Sequence, residues 1–473
     1  MKARTLLDAW IRTVRSAPGA PALTDAGSGR VWSRRELDAL ADAWRADHGA
    51  AVAGQTVVFA EPNGAAWLRL FLGLLKSGAV AAALDPGEPL LSRRALSSAI
   101  RAQFLWQAGV LETFAPRRRP HADGRRLLKL TSGSTGAPRA LAFGDAQILA
   151  DGRQICASMG IAPSDVNFAL IPFGHSYGLG NLVVPLLAQG TAIVCGTTAL
   201  PHAIGADIAR WEPTVFPAVP AVLSAMAESD LDPARLRSVR TVISAGAPLT
   251  AEVARSFHSR FGRKIHGFYG SSETGGVTYD REGDATLAGR SVGKPLQGVG
   301  LHFASGGRFS VASPAVFIIG NRCRSGTDGR HRPADIAEQN ALGELVLIGR
   351  AGPFVKLSGR RFSLAEVECA IRQLPGIRDA FVALAPERPD RLAAAIASDR
   401  PAAALRAALR ERLSPWKIPR RLVVLKEFPL TARGKTDGQR LLELLRNPAD
   451  TDQPTSVASI SRLSAARQMS ARK

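Results

Sequence analysis

The chain has 473 residues, which is too long for one ordinary hydrophobic core and predicts two or three packed units. Hydrophobic residues make up 46% and charged residues 21%, as is typical of a folded globular protein. These values exclude a largely disordered chain. No apolar run reaches the roughly 18 residues that a membrane helix needs, and the N-terminal residues lack the apolar stretch of a signal peptide. We therefore expect no membrane span.

The four cysteines are widely separated and show no Cys-x-x-Cys spacing. This pattern favours reduced thiols over a zinc site or a disulfide framework. It predicts a reducing compartment, the cytoplasm.

The formal net charge is +21. A basic field of this size attracts polyanions such as nucleic acids or membrane surfaces. The arginines, however, are spread along the whole chain and only locally clustered, as at residues 117–119 and 420–421. We therefore favour a solvated basic surface over a dedicated nucleic-acid site.

Strands and helices are predicted to alternate over the first 285 residues. In chain order, the expected elements are a helix at 34–47, a strand at 57–60, a helix at 65–78, a strand at 79–84, a strand at 169–171, a helix at 181–188 and strands at 192–195, 214–216 and 239–243. This βαβ alternation predicts mostly parallel sheets flanked by helices.

Short strands with glycine and proline punctuation follow, at 306–311 and 343–348, and predict a small β subdomain. A Gly-Pro breaker near residue 353 separates this region from a compact unit that ends near residue 445. The predicted fold is α/β: a large N-terminal domain, 1–349, of two packed α/β subdomains plus the β subdomain, and a small mobile α+β lid, 353–446. The tail 447–473 is expected to be poorly ordered.

Residues 130–139 read Leu-Thr-Ser-Gly-Ser-Thr-Gly-Ala-Pro-Arg and carry the strongest functional pattern of the chain. Hydroxyl residues alternate with glycines, whose tolerance of positive φ lets backbone N–H groups turn toward an anion. The spacing is not that of the Walker motif. It nevertheless predicts a phosphate cradle, which we call the phosphate loop. Its binding residues are Thr131, Ser132, Gly133, Ser134, Thr135, Gly136 and Arg139.

The phosphate loop resembles the corresponding signature of the adenylate-forming superfamily, which comprises acyl-CoA synthetases, peptide-synthetase adenylation domains and luciferases. Further motifs follow in the order of that superfamily over nearly the whole chain. They are the early structural motifs 32–37, 75–79 and 84–86; the adenine-side loop with Gly246, Ala247 and Pro248; the nucleotide motif with Tyr269, Gly270, Ser271, Ser272 and Glu273; the ribose motif ending in Asp335; the hinge opened by Gly349 and Arg350; and the C-terminal motif ending in Lys435.

The resemblance implies ATP and Mg²⁺ as cofactors and assigns roles that suit the side chains. Glu273 would hold Mg²⁺ beside the phosphates, because magnesium prefers oxygen ligands and bridges substrate phosphates. Asp335 would accept hydrogen bonds from the ribose hydroxyls. Lys435 would neutralise the charge that develops at the α-phosphate. Arg350 joins the nucleotide-binding set.

His175 resembles the residue that gates the carboxylate pocket in acyl-CoA synthetases, and its alternative is a structural histidine. Relatives that activate amino acids usually carry an aspartate after Phe173, where this chain has Gly174. Because an uncompensated buried ammonium is costly, we expect an aryl or fatty acid rather than an amino acid.

The motifs depart from the superfamily pattern at several positions. Arg139 replaces the commoner lysine, Ser272 replaces threonine, and Pro-Ala-Asp replaces Thr-Gly-Asp before the ribose carboxylate. The hinge position falls at Gly352 or Pro353.

The sequence thus predicts an AMP-forming ligase that converts a carboxylic acid to an acyl-adenylate and passes the acyl group to a pantetheine thiol. The acceptor is CoA or an acyl-carrier protein; the basic lid slightly favours the carrier. The alternatives are an acyl-AMP ligase that does not use CoA and a relative without catalysis that binds nucleotide or nucleic acid.

Overall fold

The computed structural model describes residues 3–88, 90–116, 124–131, 139–318, 329–350, 354–357, 360–385, 388–413, 417–431 and 436–446. The chain folds into two compact units. As far as residues are described, the first comprises Met1–His302, Ser310–Pro333 and Gln339–Val346, and the second comprises Phe303–Phe309, Ala334–Glu338 and Leu347–Lys473. The expected domain bounds at 349 and 353 stay a prediction, and the tail 447–473 lies outside the described residues.

The helices and strands are numbered in chain order. The described α-helices are α1 (Leu6–Ser16), α2 (Arg34–Val52), α3 (Ala65–Lys76), α4 (Leu90–Ala99), α5 (Asp145–Met159), α6 (Ser176–Gly178), α7 (Val184–Gln189), α8 (Pro201–Trp211), α9 (Pro220–Glu228), α10 (Ala251–Phe261), α11 (Asp284–Ala288), α12 (Leu364–Arg372), α13 (Ala402–Arg410) and α14 (Gly438–Arg446). A π-helix spans Leu179–Val183, and 3₁₀ turns span Pro233–Leu236 and Ser305–Gly307.

The described strands of the first half are β1 (Pro21–Asp25), β2 (Val31–Ser33), β3 (Thr56–Phe59), β4 (Val80–Ala83), β5 (Phe104–Gln107), β6 (Val110–Thr113), β7 (Arg125–Thr131), β8 (Arg139–Gly144), β9 (Val166–Ala169), β10 (Ala192–Cys195), β11 (Val215–Ala218) and β12 (Thr241–Ser244). Those of the second half are β13 (Ile265–Ser271), β14 (Gly275–Tyr279), β15 (Lys294–Pro295), β16 (Gly300–Phe303), β17 (Phe309–Ala312), β18 (Arg330–His331), β19 (Asp335–Gln339), β20 (Leu345–Arg350), β21 (Phe354–Leu357), β22 (Arg360–Ser363), β23 (Ile377–Ala385), β24 (Arg388–Ser398) and β25 (Arg421–Leu425).

The largest sheet of the first unit has nine strands in the order β15-β14-β13-β12-β11-β9-β10-β1-β2. The ladders from β13 to β1 are parallel, and antiparallel strands close both edges. Strands β11 and β12 are short and buried throughout, as expected for a parallel sheet whose two faces are covered. Because the parallel strands run the same way, their carboxyl ends share one edge of the sheet, where ligands commonly bind.

A second sheet of the same unit has six strands in the order β6-β5-β3-β4-β7-β8. Its central ladders are parallel, and the β5–β6 and β7–β8 pairs are antiparallel hairpins. One apolar cluster contains residues of both sheets, such as Leu23 and Ile193 from the nine-stranded sheet and Val57 and Phe59 from the six-stranded sheet. The burial of this shared cluster is the main force that holds the two sheets together.

Helix α3 lies in the shared cluster because it is apolar on most of its surface. Trp67, Leu70, Phe71 and Leu74 are fully or almost fully buried. Helix α2, in contrast, is amphipathic and begins at a capping box, in which Glu36 N donates to Ser33 Oγ (3.2 Å) and Ser33 N donates to Glu36 Oε2 (2.7 Å).

The second unit contains the sheet β23-β24-β25, with α12, α13 and α14 in the same region of the chain. The β23–β24 ladder is antiparallel and the β24–β25 ladder is parallel. One apolar cluster includes Val367, Leu405 and Leu422, and another includes Leu441 and Leu445. Alternate residues of the sheet belong to one cluster or the other, so both faces of the sheet are covered by apolar side chains. In the described part of the chain, no helix is long and apolar enough to cross a membrane.

The predicted α/β fold with a large N-terminal and a smaller C-terminal region is confirmed. Most predicted elements shift by only a few residues. The strand expected at 169–171 lies at Val166–Ala169, because the ladder to β10 ends at Ala169 and the chain then leaves the sheet. Leu170 and Ile171 are apolar because they pack beyond the strand end, a location that periodicity alone does not reveal.

Candidate active site

The nine-stranded sheet gathers several predicted site residues at the carboxyl ends of its parallel strands. Gly246, Ala247 and Pro248 form an exposed bend directly after β12, in which Gly246 has a φ of 89°. Tyr269, Gly270 and Ser271 end the neighbouring β13, and Ser272 and Glu273 form the turn into β14. The adenine-side loop and the nucleotide motif therefore emerge from adjacent strands on one edge of the sheet.

The six-stranded sheet contributes the two ends of the phosphate loop. Thr131 is the last residue of β7, Arg139 is the first residue of β8, and the two are partners in the antiparallel ladder. Ser132, Gly133, Ser134, Thr135 and Gly136 lie outside the described residues. The loop is thus the connection of a hairpin at the edge of the sheet.

Two backbone hydrogen bonds join the Glu273 turn to this hairpin. Phe317 N donates to Glu273 O at 3.0 Å, and Ile318 N donates to Ala142 O on β8 at 2.8 Å. Because Phe317 and Ile318 are consecutive, the segment spans directly from the nucleotide motif to the strand that leaves the phosphate loop. The structure therefore brings the turn of Glu273 to β8, the strand that follows the phosphate loop, although the two are about 130 residues apart in sequence.

The Glu273 turn is held internally and from outside. Thr274 N donates to Ser271 Oγ at 3.2 Å, and the hydroxyls of Ser271 and Thr274 lie 3.0 Å apart. Gly276 N donates to the buried carboxylate of Asp151 on α5 at 2.9 Å. Gly275 has a φ of 68°, and a Cβ there would lie 2.3 Å from Asp151 Oδ1. Only glycine allows this close approach, so the turn is fixed against α5.

The surroundings of Glu273 suit a magnesium ion that is shared with a phosphate ligand. The Glu273 side chain is half-buried, on a turn fixed by the contacts above. Among the described residues, no group of three or more His, Cys, Asp or Glu side chains could hold a metal by itself. Magnesium is commonly bound through one or two carboxylates plus substrate phosphates, and a single carboxylate beside a phosphate loop fits this pattern.

The sequence interpretation missed Lys129, which lies on β7 two residues before Thr131. Its side chain is buried, with Nζ 4.3 Å from the ring centroid of Phe143. Burial lowers the pKa of the Lys129 ammonium and raises the pKa of Asp151, while the attraction between the two charges opposes both shifts. The charge of Glu273 acts on Lys129 in the same sense as that of Asp151. Because Arg125 and Arg126 of the same strand are also basic, no local pattern singles out Lys129.

His175 lies beyond the carboxyl end of β9 and precedes α6. Its Nε2 lies 3.2 Å from Asp85 Oδ2, and both side chains are largely shielded from solvent. The sequence interpretation assigned no role to Tyr177, two residues later, which is partly buried. Its hydroxyl donates to Ile243 O at the end of β12, at 3.0 Å, and burial raises its pKa well above the usual range. The hydroxyl thus acts as a donor that ties α6 to the strand ends.

The remaining predicted residues belong to the second unit. Asp335 is the first residue of β19 and is half-buried, and Arg350 is the last residue of β20. Lys435 and the pivot residues Gly352 and Pro353 lie outside the described residues. Their roles stay predictions.

The Lys129–Asp151 couple predicts a specific stability pattern. Lys129→Met and Asp151→Asn each remove a charge that offsets the burial of the other, so each should lower the free energy of unfolding by about 1–3 kcal/mol. The double variant should lose less than the sum of the two single losses, because neither buried charge is then left without the other. Urea unfolding followed by tryptophan fluorescence measures this.

Lys264→Met is the matched control, because Lys264 pairs with Asp284 at 2.7 Å on the exposed surface. Its loss should leave the urea midpoint almost unchanged, because an exposed pair contributes little to stability. Additive losses in the Lys129/Asp151 double variant would contradict the couple.

The comparisons with known proteins agree with this geometry. The family model described as AMP-binding enzyme matches residues 95–305, and the model of the AMP-binding enzyme C-terminal domain matches residues 366–435. Together the two matches cover more than half of the chain, in the order expected from the motifs.

Two curated relatives illustrate the range of similar proteins. The 3-hydroxybenzoate–CoA/4-hydroxybenzoate–CoA ligase of Thauera aromatica is 29% identical over 343 residues, which cover 67% of this chain and 65% of that ligase. Tyrocidine synthase 3 of Brevibacillus parabrevis is 28% identical over 310 residues, which cover 57% of this chain and 5% of that protein. The chain thus spans just under two thirds of the first relative and a small part of the second.

Among solved structures, ATP-bound MatB from Rhodopseudomonas palustris superposes with a TM-score of 0.78 at 20% identity, covering 93% of this chain and 99% of that chain. At this identity the similarity concerns the fold. The motif order, the two family models and the fold agree, and the predicted resemblance is confirmed: the chain belongs to the family of AMP-binding, adenylate-forming enzymes.

Proposed function

We propose that the chain is an AMP-forming ligase that activates an aryl or fatty acid with ATP and transfers the acyl group to the thiol of CoA. The observation that carries this proposal is the link between the Glu273 turn and the phosphate-loop hairpin through Phe317 and Ile318. It supports the proposal because it joins the turn of Glu273, whose carboxylate would suit a metal, to the strand that follows the phosphate loop. The cytoplasm, where ATP and CoA are available, is the proposed location.

In the first half-reaction, a carboxylate oxygen of the acid attacks the α-phosphorus of ATP, and pyrophosphate leaves. Backbone N–H groups and hydroxyls at residues 131–136, with Arg139, bind the phosphates. Glu273 would hold Mg²⁺, which supplies charge neutralisation on the phosphate oxygens. Asp335 binds the ribose, and Lys435 stabilises the charge that develops between the carboxylate and the α-phosphate.

In the second half-reaction, the thiol sulfur attacks the carbonyl carbon of the acyl-adenylate. The thiol proton is released to solvent, the bond from the carbonyl carbon to the bridging oxygen breaks, and AMP leaves with that oxygen. The lid region would have to remove Lys435 from the site between the two steps, since the lysine serves adenylation only.

An acid without an α-ammonium is supported by the residues beside His175. Gly174 has no side chain, and a Cβ added there would lie 3.0 Å from Ala83 Cβ, so this position has little room for an acidic partner of an ammonium. The neighbouring Phe173 is fully buried and packs edge-on against Trp67 at 5.4 Å. The activity of the Thauera relative toward hydroxybenzoates, given by its name, favours an aryl acid.

CoA is the favoured acceptor because the Thauera relative is named as a CoA ligase. A carrier protein is the alternative, supported by the similarity to part of a peptide synthetase and by exposed arginines such as Arg420 in the second unit. A basic surface would speed the encounter with an acidic carrier more than it would tighten the complex.

A panel of acids tests the proposed substrate class. ATP–pyrophosphate exchange should be fastest with benzoate and its hydroxy derivatives or with a fatty acid, and weak with proteinogenic amino acids, because Gly174 offers no counter-charge to an α-ammonium. Fastest exchange with an amino acid would contradict the assignment of the acid pocket.

Lys435→Ala should separate the two half-reactions. Acyl-adenylate formation is expected to fall by a factor of about one hundred or more, the scale of one lost electrostatic donor, while thioester formation from synthetic acyl-adenylate is retained. Single-turnover assays of each step measure this.

Lys426→Ala, which removes an exposed lysine just after β25, is the control and should leave both steps unchanged. Equal losses in both steps for Lys435→Ala would argue against a role confined to adenylation.

A further inference from the structure

Residues at the strand ends of the six-stranded sheet contact the segment between β9 and α6. Asn63, just beyond β3, donates from Nδ2 to Ile171 O at 2.9 Å and accepts at Oδ1 from Phe173 N at 2.7 Å. The backbone of Gly174 passes close to Ala83, the last residue of β4. Three strand ends from two sheets therefore meet at this segment and fix the backbone that carries His175.

Asp85, just beyond β4, contacts the side chain of His175. Its Oδ2 lies 3.2 Å from His175 Nε2, and its Oδ1 accepts from Gly87 N at 2.8 Å. The Asp85 side chain is 11% exposed and that of His175 is 27% exposed. Arg93 supports the same turn, since its guanidinium donates to Pro86 O at 2.7 Å and to Glu88 O at 2.6 Å. The carboxylate therefore has a fixed position and both of its oxygens are engaged.

This contact places a proton on one nitrogen of the neighbouring imidazole. A carboxylate only accepts hydrogen bonds, so Nε2 of His175 carries the proton that it donates to Asp85. The backbone contacts at Asn63 and the side-chain contact at Asp85 together restrict the orientation of the ring.

We propose that Asp85 is a positioning residue that fixes the orientation of the His175 ring at the proposed acid site. This inference rests on the proposed acid activation, because it gives the ordered ring a substrate to act on. Asp85 itself does not touch the substrate. It acts through His175, as an outer residue that orients a residue of the site.

The chain offers a matched control for this contact. His202 Nε2 lies 2.8 Å from Asp230 Oδ1, but both side chains are mostly exposed, at 68% and 90%. Asp230→Asn removes the same kind of histidine–carboxylate contact, but one that lies on the exposed surface. It should leave the kinetics unchanged.

Steady-state kinetics test the positioning role. Asp85→Ala should lower kcat/KM for the acid by about ten- to a hundredfold, the scale of a hydrogen bond to a charged group, and leave the KM for ATP within about twofold. Asp85→Asn keeps an acceptor for Gly87 N and should fall between Asp85→Ala and wild type. Equal losses for the acid and for ATP, accompanied by a lower Tm, would show that Asp85 is only structural and would overturn the proposal.

Nitrogen-15 NMR of histidine-labelled protein gives a readout that does not require activity. The signals of His175 are those lost in His175→Gln. Wild type should show the Nε2–H of His175 in a hydrogen bond, and Asp85→Ala should shift the Nε2 resonance. Identical spectra would overturn the positioning role. If the spectra differ as expected while wild type activates no acid in the panel, the positioning role stands and the proposed function fails.

Discussion

Hydrogen bonds from Phe317 and Ile318 hold the turn that carries Glu273 against the strand that leaves the phosphate loop. The two elements belong to different sheets, so neither sheet alone could set their distance. The shared apolar cluster brings the sheets together. The two backbone contacts and the bond from Gly276 N to Asp151 then fix the position of the Glu273 turn relative to β8. The proposed use of ATP depends on this constraint, because a carboxylate and a phosphate cradle act jointly only at a fixed separation.

Polar contacts fix the geometry around the proposed site, as apolar packing stabilises the core. Lys129 and Asp151 would each be costly to bury alone, and the attraction between their charges offsets part of that cost. The half-buried Asn63 and Asp85 bind the backbone near Ile171 and the ring of His175. Such contacts are directional, so they specify geometry more sharply than apolar contacts of equal area.

The sequence predicted the fold class and the motif order because both rest on local patterns. Alternating apolar strands and helices indicate parallel sheets, and the glycine-hydroxyl run at 131–136 indicates a phosphate loop. Non-local contacts were beyond its reach. The sequence around Asp85 and Asn63 does not indicate that their partners lie some 90 to 110 residues away. The role of Lys129 becomes visible only when its burial is known. The strand at β9 was displaced because apolar Leu170 and Ile171 pack outside the ladder.

The central claim is that a carboxylate of the substrate attacks the α-phosphorus of ATP in this chain. Isotope transfer measures that bond directly. The enzyme is incubated with ATP, CoA and benzoate labelled with ¹⁸O in both carboxyl oxygens, and the masses of the products are determined by mass spectrometry. The account predicts AMP that carries one ¹⁸O atom, because the bridging oxygen of the acyl-adenylate leaves with AMP. Formation of ADP, or AMP without label alongside labelled pyrophosphate or phosphate, would contradict it.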